Sequence, residues 1–311
     1  MPWRRWKDPH NPENRNAGNG GDVVKHVVHA TLLDVLLARS PWREQLRLRE
    51  CHAGRAAYPI PAGDPRRQLQ ASLLAGDNRL AAAQRDALAA LGLPHDTSWY
   101  AGSAALAATR LAAAPGAHRY DGYEWAPDTR AIARAALLEA VGGELPVDMP
   151  GDDEPDGRFD GETHIAQSLP EWDERDVIFL DPFGIWRRPK LAERRRRYRR
   201  IVEGYLARGS SAPPLVIFFV WSNDEAGYEE LEGAAERVAD GYGELKARLV
   251  DGHLASLLIR WRWHLTCAMW VLVPDPLLDP LRGALEDNLS EVVSLAGRAG
   301  VGPESLAVRP L

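Results

Sequence analysis

The segment VIFLDPFGIW, Val177 to Trp186, constrains this chain more than any other. Its apolar residues run unbroken from Val177 to Leu180 and then stop at an acid and a proline. A short run apolar on both faces is the mark of a strand buried in a parallel sheet, with helices covering both sides. Such a strand carries Asp181 to the carboxyl edge of the sheet, where open α/β folds bind their ligands. Pro182 ends the strand, because its ring removes the amide donor a ladder needs. Phe183, Gly184 and Trp186 follow on a turn. Carboxylate, proline carbonyl and aromatic face together suit a planar ring that bears an amine. Taken alone, the same residues also describe a plain strand end with Asp181 opening a turn.

The rest of the chain supplies the layers such a strand needs. LVIFFVW, Leu215 to Trp221, reads as a second fully buried strand, and LASLLIRWRW with CAMWVLVP as an antiparallel hairpin closing the sheet. LRLREC, Leu46 to Cys51, alternates in polarity and reads as an edge strand. A strand around His118 to Trp125 ends at Glu124, and Leu145–Met149 holds a short strand at most within a long polar loop over 142–162. Between these lie helical patterns. One is capped by Asp22 and carries Val24, Val27, Val28, Thr31, Leu32, Val35 and Leu36 at helical spacing. Others span Gln68 to Leu91, a stretch from Ser103 after a turn, Pro127 to Val141, a basic helix to about Arg208, Glu225 to Asp240, and 279–298. Helices alternating with buried strands predict an α/β chain with a doubly wound, mainly parallel sheet and a C-terminal antiparallel hairpin. Residues 1–311 form a single domain on this reading, with 60–98 inserted as a helical subdomain.

Composition narrows the classes. No run of eighteen apolar residues exists, so no membrane span is expected. The basic N-terminus lacks the apolar stretch of a secretory signal. Two cysteines make neither a disulfide framework nor a zinc cluster, so the expected location is cytoplasmic and reducing. A formal net charge of −6 argues against a protein that coats nucleic acid non-specifically. The charge is uneven, however: RRPKLAERRRRYRR, Arg187 to Arg200, is densely cationic, and GDDEPDGRFDGE, Gly151 to Glu162, densely acidic. A solvated helix face accounts for such a run, but this one begins beside Asp181.

Three further stretches carry chemistry. In GNGGDVVKH, Gly18 to His26, glycines before a helix admit a ligand close to the backbone, and Lys25 and His26 stand on the first turn. The GK[ST] ending of a Walker motif is missing. ECHAGRAAY, Glu50 to Tyr58, leads a strand into His52 and Gly54, the layout of the first turn of a nucleotide-binding sheet with an incomplete glycine pattern. His26, His29, Cys51 and His52 do not complete a ligand pattern, so no metal is expected. YAGSAALAA offers Ser103 at a helix start, and YEWAP puts Glu124 at a strand end, where a carboxylate holds ribose hydroxyls. No GxSxG elbow is present, which sets aside a serine hydrolase.

In order, GNGGDVVKH, ECHAG, YAGSAA, YEWAP and VIFLDPF resemble the bacterial 23S rRNA adenine-N(6) methyltransferases of the RlmJ type, with their GNxADVLKH, DTHAG, PGSP, strand-end acid and DPPY. The resemblance spans nearly the whole chain. It implies a Rossmann-like S-adenosylmethionine-dependent methyltransferase fold with a small helical subdomain after the first strand. It implies S-adenosyl-L-methionine as cofactor, contacted by Lys25, His26, His52, Gly54, Ser103, Glu124 and Asp181. The family's acid–glycine pair falls on Asp160–Gly161 or on Asp156–Gly157. Asp181, Pro182 and Phe183 would form the catalytic corner, and RNA would be the partner. Asn19, Trp186, Arg187, Arg194 and Arg195 are the candidate target contacts.

The chain departs from that pattern in three places. DPFG replaces DPPY, a form shared with the methyltransferase-like three-Cys-motif partner proteins. AGRA replaces AGAG, and the family's N-terminal aromatic has only Trp3 or Trp6 as stand-ins. Three functions follow from this. The leading one is methylation of an adenine amine in RNA. The same cofactor chemistry on a small molecule, peptide or other non-nucleic acceptor is the second. A catalytically silent RNA- or protein-binding relative is the third.

Overall fold

The structure is a computed structural model that describes residues 19–154, 158–181, 192–209, 212–221, 254–263, 265–298, 300, 302–303 and 305–310. Helix α1, Gly20–Leu37, opens the fold. Its N-cap is Asn19, not Asp22: the extended Asn19 backbone lets its Oδ1 accept from the amides of Gly21 at 2.7 Å and Asp22 at 3.1 Å. Asp22 sits in the first turn instead, where a carboxylate favours the helix dipole. The helix is buried almost all round, because other helices pack outside it.

Strand β1, Arg47–Cys51, lies inside an eight-stranded sheet, in the middle of its five parallel strands, and not at an edge. Its polar residues are satisfied inside the protein, which is why alternation misleads here. Arg49 Nε meets Asp176 at 3.2 Å, and the Tyr120 hydroxyl donates to Glu50 Oε2 at 2.7 Å. On one side β1 pairs in parallel with β4, Arg119–Tyr123, and β4 with the short β5, Val147–Asp148. On the other it pairs in parallel with β6, Asp176–Leu180, which neighbours β7, Leu215–Trp221. The hairpin of β8, Leu254–Trp263, and β9, Leu265–Pro274, follows, with β9 antiparallel against β7. An additional strand, β10 (Ser305–Pro310), pairs antiparallel with β8 at the outer edge. The order is therefore β10-β8-β9-β7-β6-β1-β4-β5.

After β1, a separate ribbon of β2, Ala57–Pro59, and β3, Trp99–Ala101, pairs antiparallel. It brackets α2, Arg66–Leu74, and α3, Arg79–Ala90. The segment read as a turn at 99–101 is thus a short strand. Helix α4, Ser103–Ala113, and α5, Pro127–Val141, run where the sequence places them, and α5 ends on the left-handed Gly142. The long polar loop is cut short by α6, Gly161–Ser168. Helix α7, Ala192–Leu206, carries the basic run, and α8, Asp275–Arg298, begins four residues before the expected 279 because Pro276 fits the first turn of a helix. The expected helix over 225–240 lies outside the described residues.

Strand β6 shows how the layers form. Val177 and Phe179 join the core built with α1, α4 and α8, while Ile178 and Leu180 join a second core with Ile165 of α6 and Ile201, Val202 and Tyr205 of α7. Alternate side chains serve opposite faces, as the period of a strand requires. The chain has a Rossmann-like α/β fold, doubly wound, with five parallel strands extended by an antiparallel hairpin.

Candidate functional site

The three middle strands of the parallel part, β6, β1 and β4, end flush. Cys51 pairs with Tyr123 on one side and with Leu180 on the other. The next residue of each strand, His52, Glu124 and Asp181, therefore leaves the sheet at one edge, with neighbouring strands about 4.8 Å apart. From β1 the chain goes to β4 on one side, and β6 returns on the other. This is a topological switch point, and the crevice beyond it is where such sheets hold ligands.

Helix α1 closes that edge. Lys25 Nζ lies 2.6 Å from Asp181 Oδ2 and 3.0 Å from Asp22 Oδ1. Burial works against its charge, but the Asp181 and Asp22 carboxylates outweigh burial and lift its pKa well above the ordinary lysine value. Among the described residues Asp181 Oδ1 carries no hydrogen bond, and the Asp181 side chain is 18% exposed. The next residue on α1, His26, turns elsewhere. Its Nδ1 meets the Tyr100 hydroxyl at 2.6 Å and its ring stacks on Tyr100 at 5.2 Å. Burial, then Lys25, pushes its pKa well below the usual value, so the imidazole is neutral. His29 packs edge-on against Phe179 at 4.6 Å, and burial lowers its pKa to about 3. Among the described residues no cluster of three metal-ligating side chains exists.

The turn after β1 is left-handed and packs closely on Tyr58. His52 stands at φ +66° and Gly54 at φ +61°, the left-handed region. A Cβ on Gly54 would lie 2.4 Å from the Tyr58 hydroxyl oxygen. Glu124 fastens this turn to the start of α5: one oxygen accepts from the Gly54 amide and the other from the Ala126 amide, both at 3.0 Å. Ser103 is the first residue of α4, whose N-cap is the backbone of Gly102, and its hydroxyl bonds Glu50. Burial raises the fully enclosed Glu50 to about 7, against the bonds from Ser103 and Tyr120.

Asp160 and Gly161 arrive from the other face. Asp160 caps α6, taking the Thr163 amide at 3.1 Å and the Thr163 hydroxyl at 2.7 Å. A Cβ on Gly161 would lie 2.5 Å from Tyr123 Cβ and 3.0 Å from Cys51 Sγ, so α6 begins directly on the ends of β1 and β4. The following Glu162 is buried and meets His52 Nε2 at 3.0 Å. Burial works against a charged His52, but Cys51 and the Glu162 carboxylate outweigh it and raise the histidine well above its ordinary pKa. Arg197 of α7 reaches the same acids, with Nη1 at 2.8 Å from Asp160 Oδ2 and 3.4 Å from Glu162 Oε2.

Lys25, His52, Gly54, Glu124, Asp160, Gly161 and Asp181 thus share one edge, and Ser103 joins it through Glu50. Asn19 spends its carboxamide oxygen on the α1 cap. Pro182, Phe183, Trp186, Arg187, Trp3, Trp6 and the alternative Asp156–Gly157 pair lie outside the described residues. Arg194 and Arg195 stand on α7, and their side chains lie outside them too. Sequence reasoning missed Asp22 as a partner of Lys25, which its i,i+3 spacing signals. It also missed Glu50, Glu162 and Arg197, for which only the tertiary contacts speak. Trp125, beside Glu124, is half exposed, and the Arg158 guanidinium sits 5.8 Å from its ring centre.

No family model matches the chain, and no curated protein does. Among solved structures, a protein of Legionella pneumophila described by the family model DUF519 is 18% identical and superposes with a TM-score of 0.62. The match covers 95% of this chain and 97% of that one, so the two share a fold along their length. A precorrin-6y C5,15-methyltransferase from Geobacter metallireducens is 12% identical over 78% of this chain and 86% of that one, with a TM-score of 0.33, too low for any common architecture to follow. Among the described residues no helix is long and apolar enough to cross a membrane.

Proposed function

We propose that this protein is a cytoplasmic S-adenosylmethionine-dependent methyltransferase acting on an amine, with an adenine amino group in RNA as its leading acceptor. One observation carries the reading: at the switch point His52, Glu124 and Asp181 leave flush strand ends, and Lys25 bridges from α1 to Asp181. The residues present fit the cofactor. A left-handed glycine turn lies beside a strand-end carboxylate, as a nucleoside site requires. Lys25 with Asp22 and Asp181 offers both signs of charge to an amino-acid group. Glu124 would take the ribose hydroxyls, His52 and Ser103 would line the turn, and Asp160–Gly161 would flank the base.

When bound, the cofactor supplies a methyl group already activated on a sulfonium. The protein's task is to align the acceptor. Asp181 Oδ1 accepts a hydrogen bond from the acceptor amine, and Lys25 on Oδ2 holds the carboxylate in place. Alignment of this kind replaces a bimolecular encounter with a positioned attack. Asp181 would take the proton that the acceptor nitrogen sheds once it is methylated, the cofactor leaving as its thioether. The RlmJ-type resemblance adds the Pro182 carbonyl as a second acceptor and Phe183 or Trp186 as a stacking face, worth about 1–3 kcal/mol per base. Arginines of the 187–200 run, Arg187, Arg194 and Arg195 among them, would hold phosphates.

A second reading keeps the cofactor and exchanges RNA for a small molecule or peptide. Phe183–Gly184 in place of the family's proline–tyrosine favours it, as does the net charge of −6. Labelled methyl donor offered in parallel to total RNA and to RNA-free cell extract separates the two. Label in N(6)-methyladenine supports the first reading, and label only in the extract moves the function to the second. Label in neither, with no calorimetric binding of S-adenosylmethionine, overturns both.

A further inference from the structure

Arg197 belongs to the basic run of α7, yet it does not face solvent as a free cation. Its Nη1 touches Asp160 Oδ1 at 3.0 Å, Asp160 Oδ2 at 2.8 Å and Glu162 Oε2 at 3.4 Å. Two carboxylates so close repel each other, and Glu162 is only 4% exposed, where an uncompensated charge is costly. Between them lies Gly161, pressed on Tyr123 and Cys51 with no room for a Cβ. On the far side, Glu162 Oε1 binds His52, which sits in the left-handed turn before Gly54. A continuous chain of contacts therefore runs from α7 through Arg197, Glu162 and His52 to the turn that Glu124 also fastens.

We propose that Arg197 is a positioning residue for the cofactor end of the site: it holds Asp160 and Glu162 together, and through them seats α6 and His52 against the ends of β1 and β4. The basic run is then functionally divided, with Arg197 turned inward to the cofactor and not outward to phosphate. This role rests on the methyltransferase reading. Its physical basis is that one cationic nitrogen, Arg197 Nη1, reaches both carboxylates at once. A lysine at the same place restores the charge and part of the geometry, and an alanine restores neither.

The test compares wild type with Arg197→Ala and Arg197→Lys, using calorimetry with S-adenosylhomocysteine and an NMR titration of the His52 imidazole. The expected result is a loss of affinity of about tenfold or more in R197A, regained in large part by R197K. His52 should titrate at a higher pH in R197A, since a neighbouring positive charge is gone, and return toward wild type in R197K. In turnover, the KM for methyl donor should rise while kcat holds. Thermal unfolding midpoints check that each variant is folded, and Glu162→Gln provides a second route, lowering the His52 titration and weakening binding. Wild type that binds while R197A binds as tightly, with His52 unmoved, overturns this role alone. Equal losses in R197A and R197K also overturn it. Wild type that binds no S-adenosylhomocysteine overturns the proposed function and this role with it.

Discussion

At the scale of single residues, the site turns on Lys25 and Asp181. The ammonium and the carboxylate meet at 2.6 Å with side-chain exposures of 8% and 18%, so each is held by the other more than by water. Replacing Asp181 by Asn keeps the shape and removes the proton acceptor. D181N is expected to lower methyl transfer by about 10²-fold or more while S-adenosylhomocysteine binding changes only a few-fold, read by labelled-methyl turnover beside calorimetry. Loss of both together would mean that Asp181 serves the cofactor alone. Lys25→Met is a different kind of change, since it removes the ammonium that Asp22 and Asp181 share. Discounted for the partial exposure of the two acids, we expect it to cost on the order of 2 kcal/mol of stability, measured by denaturant unfolding.

At the scale of elements, Glu50 ties β1 to β4 through Tyr120 and to α4 through Ser103. Burial raises its pKa from 4.5 to about 7 in the folded protein. The folded state therefore binds the proton more tightly than the unfolded chain does. The stabilisation is fully present below pH 4.5 and falls as pH rises toward 7, by about 3 kcal/mol in all. The neutral, buried His26 and His29 act in the opposite sense, because the unfolded chain binds protons that they refuse as pH drops below 6.5. Wild type alone blends these slopes. The difference between wild type and Glu50→Gln isolates one: E50Q should gain relative stability between pH 5 and 7.5, as thermal unfolding across that range would show. A constant difference would mean that Glu50 does not titrate there.

At the scale of the whole molecule, a chain of net charge −6 must bind any polyanion by a local surface. The α7 arginines are the proposed surface, with Arg197 excepted because it faces Asp160 and Glu162. Replacing Arg194 and Arg195 together by Ala should weaken RNA binding across sequences and flatten the plot of log affinity against log salt by about 1.5 units. Cofactor affinity should stay as it was. A salt slope near zero in wild type would instead favour the non-nucleic acceptor.

Much of this architecture is legible in the chain. The short apolar runs at 177–180 and 215–221 read as strands and are strands, and period and punctuation mark α4, α5 and the closing hairpin. The same local signals fail where a long-range partner decides the matter. LRLREC reads as an edge because it is half polar, yet Asp176 and Tyr120 make those polar groups acceptable inside the sheet. Asp22 reads as a cap because the competing Asn19 lies outside the apolar period. The acidic stretch hides α6, and nothing near 305–310 announces a strand that exists only by pairing with β8. The residue types at the carboxyl edge and their order are covalent facts, present before the chain folds. Their company is a product of folding: the flush register that sets His52, Glu124 and Asp181 side by side, the reach of Lys25 over 156 residues to Asp181, and the inward turn of Arg197. Charges choose partners by distance in space, and that distance is settled when the sheet closes.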